Sequence, residues 1–68
     1  MYIKVRNYII HLPSVRVVEW GHYGSFPIIR IYYKTYGDAT EITFDTKSEA
    51  QDALGIIWRA LQTLSNKE

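Results

Sequence analysis

Apolar and polar positions alternate along roughly the first two thirds of the chain, and the apolar spacing then lengthens to that of a helix. In Tyr2-Ile3-Lys4-Val5, Ile3 and Val5 fall on one side and Tyr2 and Lys4 on the other. Tyr8, Ile10 and Leu12 share a side in the next run. The parity slips between Val5 and Tyr8, which predicts a tight turn or a bulge at Arg6-Asn7. It slips again at Pro13-Ser14, where proline has no amide to give a ladder. Val15 and Val17 are then expected to carry the inward face as far as Trp20.

From Pro27 the pattern resumes. Ile29, Ile31 and Tyr33 form one face, and Arg30, Tyr32, Lys34 and Tyr36 form the other. Gly37-Asp38 carries the signal of a two-residue hairpin turn, because such turns require positive φ and glycine supplies it without steric cost. Ile42 and Phe44 then point inward.

Beyond Phe44 the period changes. Thr46-Lys47-Ser48-Glu49 has the form of a capping box, in which the threonine oxygen accepts from the third helical amide and the glutamate reaches back. Asp45 adds negative charge at the positive helix end. Ala50, Ala53, Leu54, Ile57, Leu61 and Leu64 form one stripe, with Trp58 at its flank. Ile56 stands off the stripe. It is either a single exposed isoleucine, which is common, or a widening of the stripe toward a neighbouring subunit. The reading is an α+β fold: an antiparallel sheet of four to five strands with one C-terminal helix packed on one face. Residues 1–68 form a single domain, with strands over about 2–45 and the helix over about 47–64. One helix covers one sheet face, so the other must meet water or a partner.

Size sharpens that point. A chain of 68 residues holds one small core, and such a core rarely supplies more than about 3–5 kcal/mol. No cysteine is present to form a disulfide or a thiolate metal site, so self-association is the expected reinforcement. No apolar run approaches the ~18 residues of a membrane span, and the N-terminal segment lacks the layout of a signal peptide. A soluble, cytoplasmic protein without membrane contact is expected.

Net charge is +1, unevenly spread. Residues 1–36 hold the cations Lys4, Arg6, Arg16, Arg30 and Lys34 against Glu19, whereas residues 37–68 are dominated by carboxylates. A charged face would give this asymmetry, and so would attraction between basic strands and an acidic helix.

The strongest constellation is aromatic and basic. Arg30, Tyr32, Lys34 and Tyr36 project from one side of a strand, and the same alternation adds Arg16, Val18 and Trp20 from the strand before it, with Tyr2 and Lys4 beside them. Aromatic rings stack on bases and cations follow phosphates, which is how sheet surfaces hold single-stranded DNA or RNA. The same residues also suit a plain solvated sheet, since tyrosine favours strands and cations stack on rings, or a subunit interface. The stretch Trp20-Gly21-His22-Tyr23-Gly24-Ser25-Phe26-Pro27 reads as a longer glycine-containing hairpin connection. Its aromatics either close one end of the core or leave His22, Tyr23 and Phe26 as a contact patch.

Catalysis has little to stand on. Ser14, Ser25 and Ser48 could pair with His11 or His22, but no motif forces such a pair together. The two histidines have no ligand spacing around them. No enzyme activity, metal, cofactor or small-molecule substrate is expected.

The runs Tyr8–Trp20, Ile29–Tyr33 and Ile42–Leu54 resemble a family of small uncharacterised bacterial and phage proteins. These carry a Tyr-Ile-Asn-Leu-Asp-Asn-Val-type strand and an Ile-x-Phe-x-Thr-x-Glu-Glu-Ala-type helix start; His11 and Pro13-Ser14 stand here in place of the Asn and Asp-Asn. That resemblance implies no activity. The order of strands and terminal helix is also similar to the single-stranded-DNA-binding transcriptional coactivator fold, which implies a dimer whose sheets carry a nucleic-acid surface. The expected function is a non-catalytic interaction module that self-associates as a dimer, with single-stranded nucleic-acid binding as the alternative.

Overall fold

A computed structural model describes residues 1–35 and 37–66. Strands β1 (Tyr2–Val5) and β2 (Tyr8–His11) form one antiparallel hairpin. Strands β3 (Val15–Tyr23), β4 (Phe26–Tyr33) and β5 (Thr40–Thr43) form a second antiparallel sheet in that order, and helix α1 (Lys47–Asn66) closes the chain. The α+β class and the C-terminal helix are as expected. The single sheet of four to five strands is replaced by sheets of two and three strands. The break falls at Leu12–Ser14, a single 3-10 turn with Pro13 at its start. Proline cannot donate to a ladder, and its fixed φ suits the turn. The Leu12 amide bonds back to the Met1 carbonyl at 3.0 Å, which holds the first hairpin together rather than extending it into β3.

The core lies where three parts meet. The hairpin contributes Val5 and Ile10 with Leu12 of the turn after it, the sheet Ile29, Ile31 and Ile42 with Phe44 just past β5, and the helix Ala50, Ala53 and Ile57. Leu54, Leu61 and Leu64 pack at its margin, so the helical stripe faces inward as its spacing predicts. Full burial of one such aliphatic side chain is worth about 1.5–3 kcal/mol. Tyr8 departs from the expected inward set: it is exposed, and its hydroxyl donates to the Glu41 carbonyl at 3.3 Å.

Local chemistry sets each boundary. Arg6-Asn7 is the tight turn the parity slip requires, with Arg6 at φ 53°. A positive φ at the first of two turn residues is a position that glycine usually fills. Two contacts hold Arg6 there: Nη2 donates to Glu49 Oε2 at 3.2 Å, and the guanidinium lies 4.8 Å from the Phe44 ring centre. At the helix start, the Thr46 oxygen accepts from the Glu49 amide at 3.2 Å and its hydroxyl donates to Glu49 Oε1 at 3.0 Å. The glutamate therefore meets the threonine side chain and Arg6, a variation on the expected box.

The expected Gly37-Asp38 hairpin turn is corrected. Strand β4 ends at Tyr33, the Lys34 amide donates to the Ser14 carbonyl at 2.8 Å, and β5 begins at Thr40 opposite Ile31. Gly37 and Asp38 thus lie between the two strands without closing a two-residue hairpin.

The stretch from Trp20 to Pro27 is corrected as well. Strands β3 and β4 run through it, leaving Gly24-Ser25 as a two-residue turn with Gly24 at φ 61°. Gly21 is a strand residue opposite Ile28, without positive φ.

Candidate interaction surface

The pairing of β3 with β4 decides which side chains share a face. Its register shifts between Val15 and Val17, so Arg16 is the extra residue of a bulge. Past the bulge, Val17 faces Tyr32, Glu19 faces Arg30, Gly21 faces Ile28 and Tyr23 faces Phe26 on the side away from α1. Val18 and Trp20 face Ile31 and Ile29 and pack against the core. This reverses the expected places of Val17, Val18 and Trp20. One inserted residue exchanges the faces of everything after it.

The predicted aromatic–basic face is largely dispersed. Arg30 and Tyr32 occupy it, and Arg16 reaches its margin with its guanidinium 5.9 Å from the Tyr32 ring centre. Trp20 belongs to the core side. Tyr2 and Lys4 belong to the other sheet, where Lys4 lies beside Arg6, Glu49 and Asp52. Lys34 is past the end of β4. The expectation for Tyr36 lies outside the described residues.

Arg30 has its charge occupied. Glu19, Arg30 and Glu41 form one rung across the three strands. Arg30 donates from Nε to Glu41 Oε2 at 2.9 Å and from Nη1 to Glu19 Oε1 at 3.2 Å. Hydrogen bonding to Glu41, and then to Glu19, raises the guanidinium pKa further above its already high ordinary value. Tyr32 also donates to Glu19 Oε1, at 3.4 Å. Two carboxylates around one cation make this rung acidic, a poor landing place for phosphate.

The opening aromatics divide. Trp20 is half-buried, with the His22 ring set perpendicular to it at 6.4 Å. His22, Tyr23 and Phe26 are exposed, Tyr23 to 68%. They stand along the strand ends that close the hairpin, but not on one face: Tyr23 and Phe26 point away from α1, whereas His22 lies beside Trp20 on the core side.

Sequence reasoning gave no weight to the edges of the sheet, and these differ sharply. Strand β5 has four residues, and Tyr8 covers its outer side at the Glu41 carbonyl. Strand β3 has nine and forms the opposite edge. Which of its backbone groups face outward follows from the turn. A two-residue hairpin closes on a hydrogen-bonded pair, here Tyr23 and Phe26, and the two kinds of pair alternate from there. His22–Pro27 is then a pair without mutual hydrogen bonds, which suits a proline lacking N–H, and the Pro27 carbonyl turns away from β3 to accept from the Phe44 amide at 2.9 Å. By the same alternation, the amides and carbonyls of Val18, Trp20 and His22 point to the free edge. Among the described residues no partner meets them.

Beside this edge, on the core side, runs a groove of about 420 Å³ between β3 and α1. Val15, Val18, Leu54, Trp58 and Leu61 line it, with Arg16 at its rim. Trp58 is 61% exposed, a large apolar surface left to solvent.

The remaining chemistry is sparse. His11 Nδ1 and Ser14 Oγ lie 2.6 Å apart, a pair brought together by the 3-10 turn, and the Tyr2 ring lies 4.9 Å from the imidazole. Among the described residues no carboxylate orients His11, so the pair lacks the third member of a nucleophile–base–orienter set. No group of three metal-ligating side chains occurs among the described residues. No helix among them is long and apolar enough to cross a membrane. Comparison with known proteins returns no match, whether to a family model, a curated protein or a solved structure.

Proposed function

We propose that this protein is a non-catalytic interaction module that associates with a second copy of itself through the free edge of β3. The observation that carries this reading is the pairing of that nine-residue edge with the apolar groove holding exposed Trp58. An unpaired edge strand is a template for another strand, and natural proteins usually cover, charge or shorten it. Strand β5 is short and met by Tyr8, whereas β3 is long and, past the Arg16 bulge, has Glu19 as its one charge among Val17, Val18, Trp20 and Tyr23. Strand addition satisfies the backbone, and the adjoining groove then buries side chains. A second copy is the favoured partner because a core of this size gains most from association.

Light scattering tests the reading directly. The expected mass is twice that of the 8.0 kDa chain, with a melting temperature that rises with concentration. Trp58→Ala should shift the balance toward monomer at unchanged fold. A monomer at high micromolar concentration, with melting independent of concentration, would overturn it.

A further inference from the structure

We propose that the two copies join β3 to β3 antiparallel about a two-fold axis at Trp20, so that Val17 of one copy faces Tyr23 of the other. This rests on self-association through β3 and adds its register. Both copies present the same strand, so an isologous antiparallel pair has the two-fold at one residue or between two. For the six-stranded sheet to continue with both helices on one side, facing residues must share a face, as they do between β3 and β4. The axis therefore falls on a single residue of β3.

Charge and backbone pattern choose among the candidates. An axis at Glu19 sets this carboxylate directly against its own copy, and like charges facing each other across a ladder are destabilising. Arg30 cannot relieve both, since it already lies between Glu19 and Glu41 on the inner side. An axis at Val18 brings the Arg16 bulge into the ladder opposite Trp20, where an extra residue breaks the pairing. An axis at Gly21 shortens the ladder to Glu19–Tyr23.

The axis at Trp20 avoids all three. The ladder runs from Val17 to Tyr23. Glu19 faces Gly21, whose missing side chain leaves room for it. The outward amides and carbonyls of Trp20 pair with their own copies, and those of Val18 pair with His22. On the far face the exposed Val17 packs against the exposed Tyr23. On the core face the two Trp20 rings meet at the seam, between the two helix grooves.

The chain has no cysteine, so introduced ones report the register without interference. In this register Val17 and Tyr23 form a pair without mutual hydrogen bonds, with Cα atoms about 4.5 Å apart, inside the range a disulfide spans. Both side chains are exposed, so Val17→Cys and Tyr23→Cys keep the core intact. Mixing the two variants under mild oxidation should give the mixed disulfide as the main product, with little of either symmetric one. Glu19→Cys alone should cross-link poorly. Strong self-linkage of Glu19→Cys in a protein that light scattering finds dimeric would overturn the register and leave self-association standing. A wild-type protein that is monomeric, with no mixed disulfide, would overturn both.

Discussion

Arg30 and Glu41 face each other across β4 and β5, and the guanidinium donates to the carboxylate from Nε at 2.9 Å. With Glu19 on its other side, Arg30 is a cation committed to its own sheet. Short single-stranded DNA should therefore bind wild-type protein feebly at ~50 mM salt. Replacing both carboxylates, Glu19→Gln with Glu41→Gln, frees Arg30 beside Arg16 and Tyr32 and should raise the affinity. Fluorescence anisotropy with a labelled oligonucleotide reads both. Tight wild-type binding with a log–log salt slope near −2, the mark of about three neutralised phosphates, would restore the nucleic-acid reading. The rung adds no pH dependence through Arg30. A raised pKa stabilises the folded state at every pH below the unfolded value, and that loss begins only in strong alkali.

The helix start gives a second expectation. Thr46→Ala removes the acceptor for the Glu49 amide and should cost about 0.5–2 kcal/mol. Ile57→Ala empties a buried site and should cost more, about 2–5 kcal/mol. Ile56→Ala, half-exposed one position earlier, should stay within about 0.5 kcal/mol. Denaturant melts of the three variants should keep this order; equal losses at positions 56 and 57 would show that the helix buries another face.

Arg6 offers a test of strain against contact. Its positive φ costs an L-residue about 1–2 kcal/mol, a cost glycine escapes. Arg6→Ala loses the contacts to Glu49 and Phe44 and keeps the strain. Arg6→Gly loses the same contacts and relieves it. Arg6→Gly should therefore be the more stable of the two by about 1–2 kcal/mol in urea unfolding. The opposite order would mean that this turn is unstrained in solution.

Two glycines close in sequence should respond differently. Gly24 sits at φ 61°, so Gly24→Ala should cost about 1–2 kcal/mol whatever the space around it. At Gly21 an added methyl meets Ile28 Cγ1 at 3.6 Å, an ordinary contact, so Gly21→Ala should change thermal stability little. Similar losses at both positions would show that Gly21, too, is constrained.

Much of the fold follows from local pattern. The helix, its threonine cap and its buried stripe were legible because spacing and capping are properties of neighbouring residues, and so was the turn at Arg6-Asn7. The inward places of Ile29, Ile31, Ile42 and Phe44 were legible for the same reason. Tertiary structure decided the rest. Alternation marks two faces but counts no insertions, so the extra residue at Arg16 exchanged Val17 with Val18 and moved Trp20 from the predicted binding face to the core side. Pairing between strands is a matter of distant partners: Pro13 ended one sheet and the Ser14–Lys34 bond began another, which separated Lys4 from Arg30. The neutralised state of Arg30 also arose there, since Glu19 and Glu41 reach it only across a ladder. Sequence alone supplied the cations and rings; the register of three strands decided that they do not form a single surface and left the edge of β3 open instead.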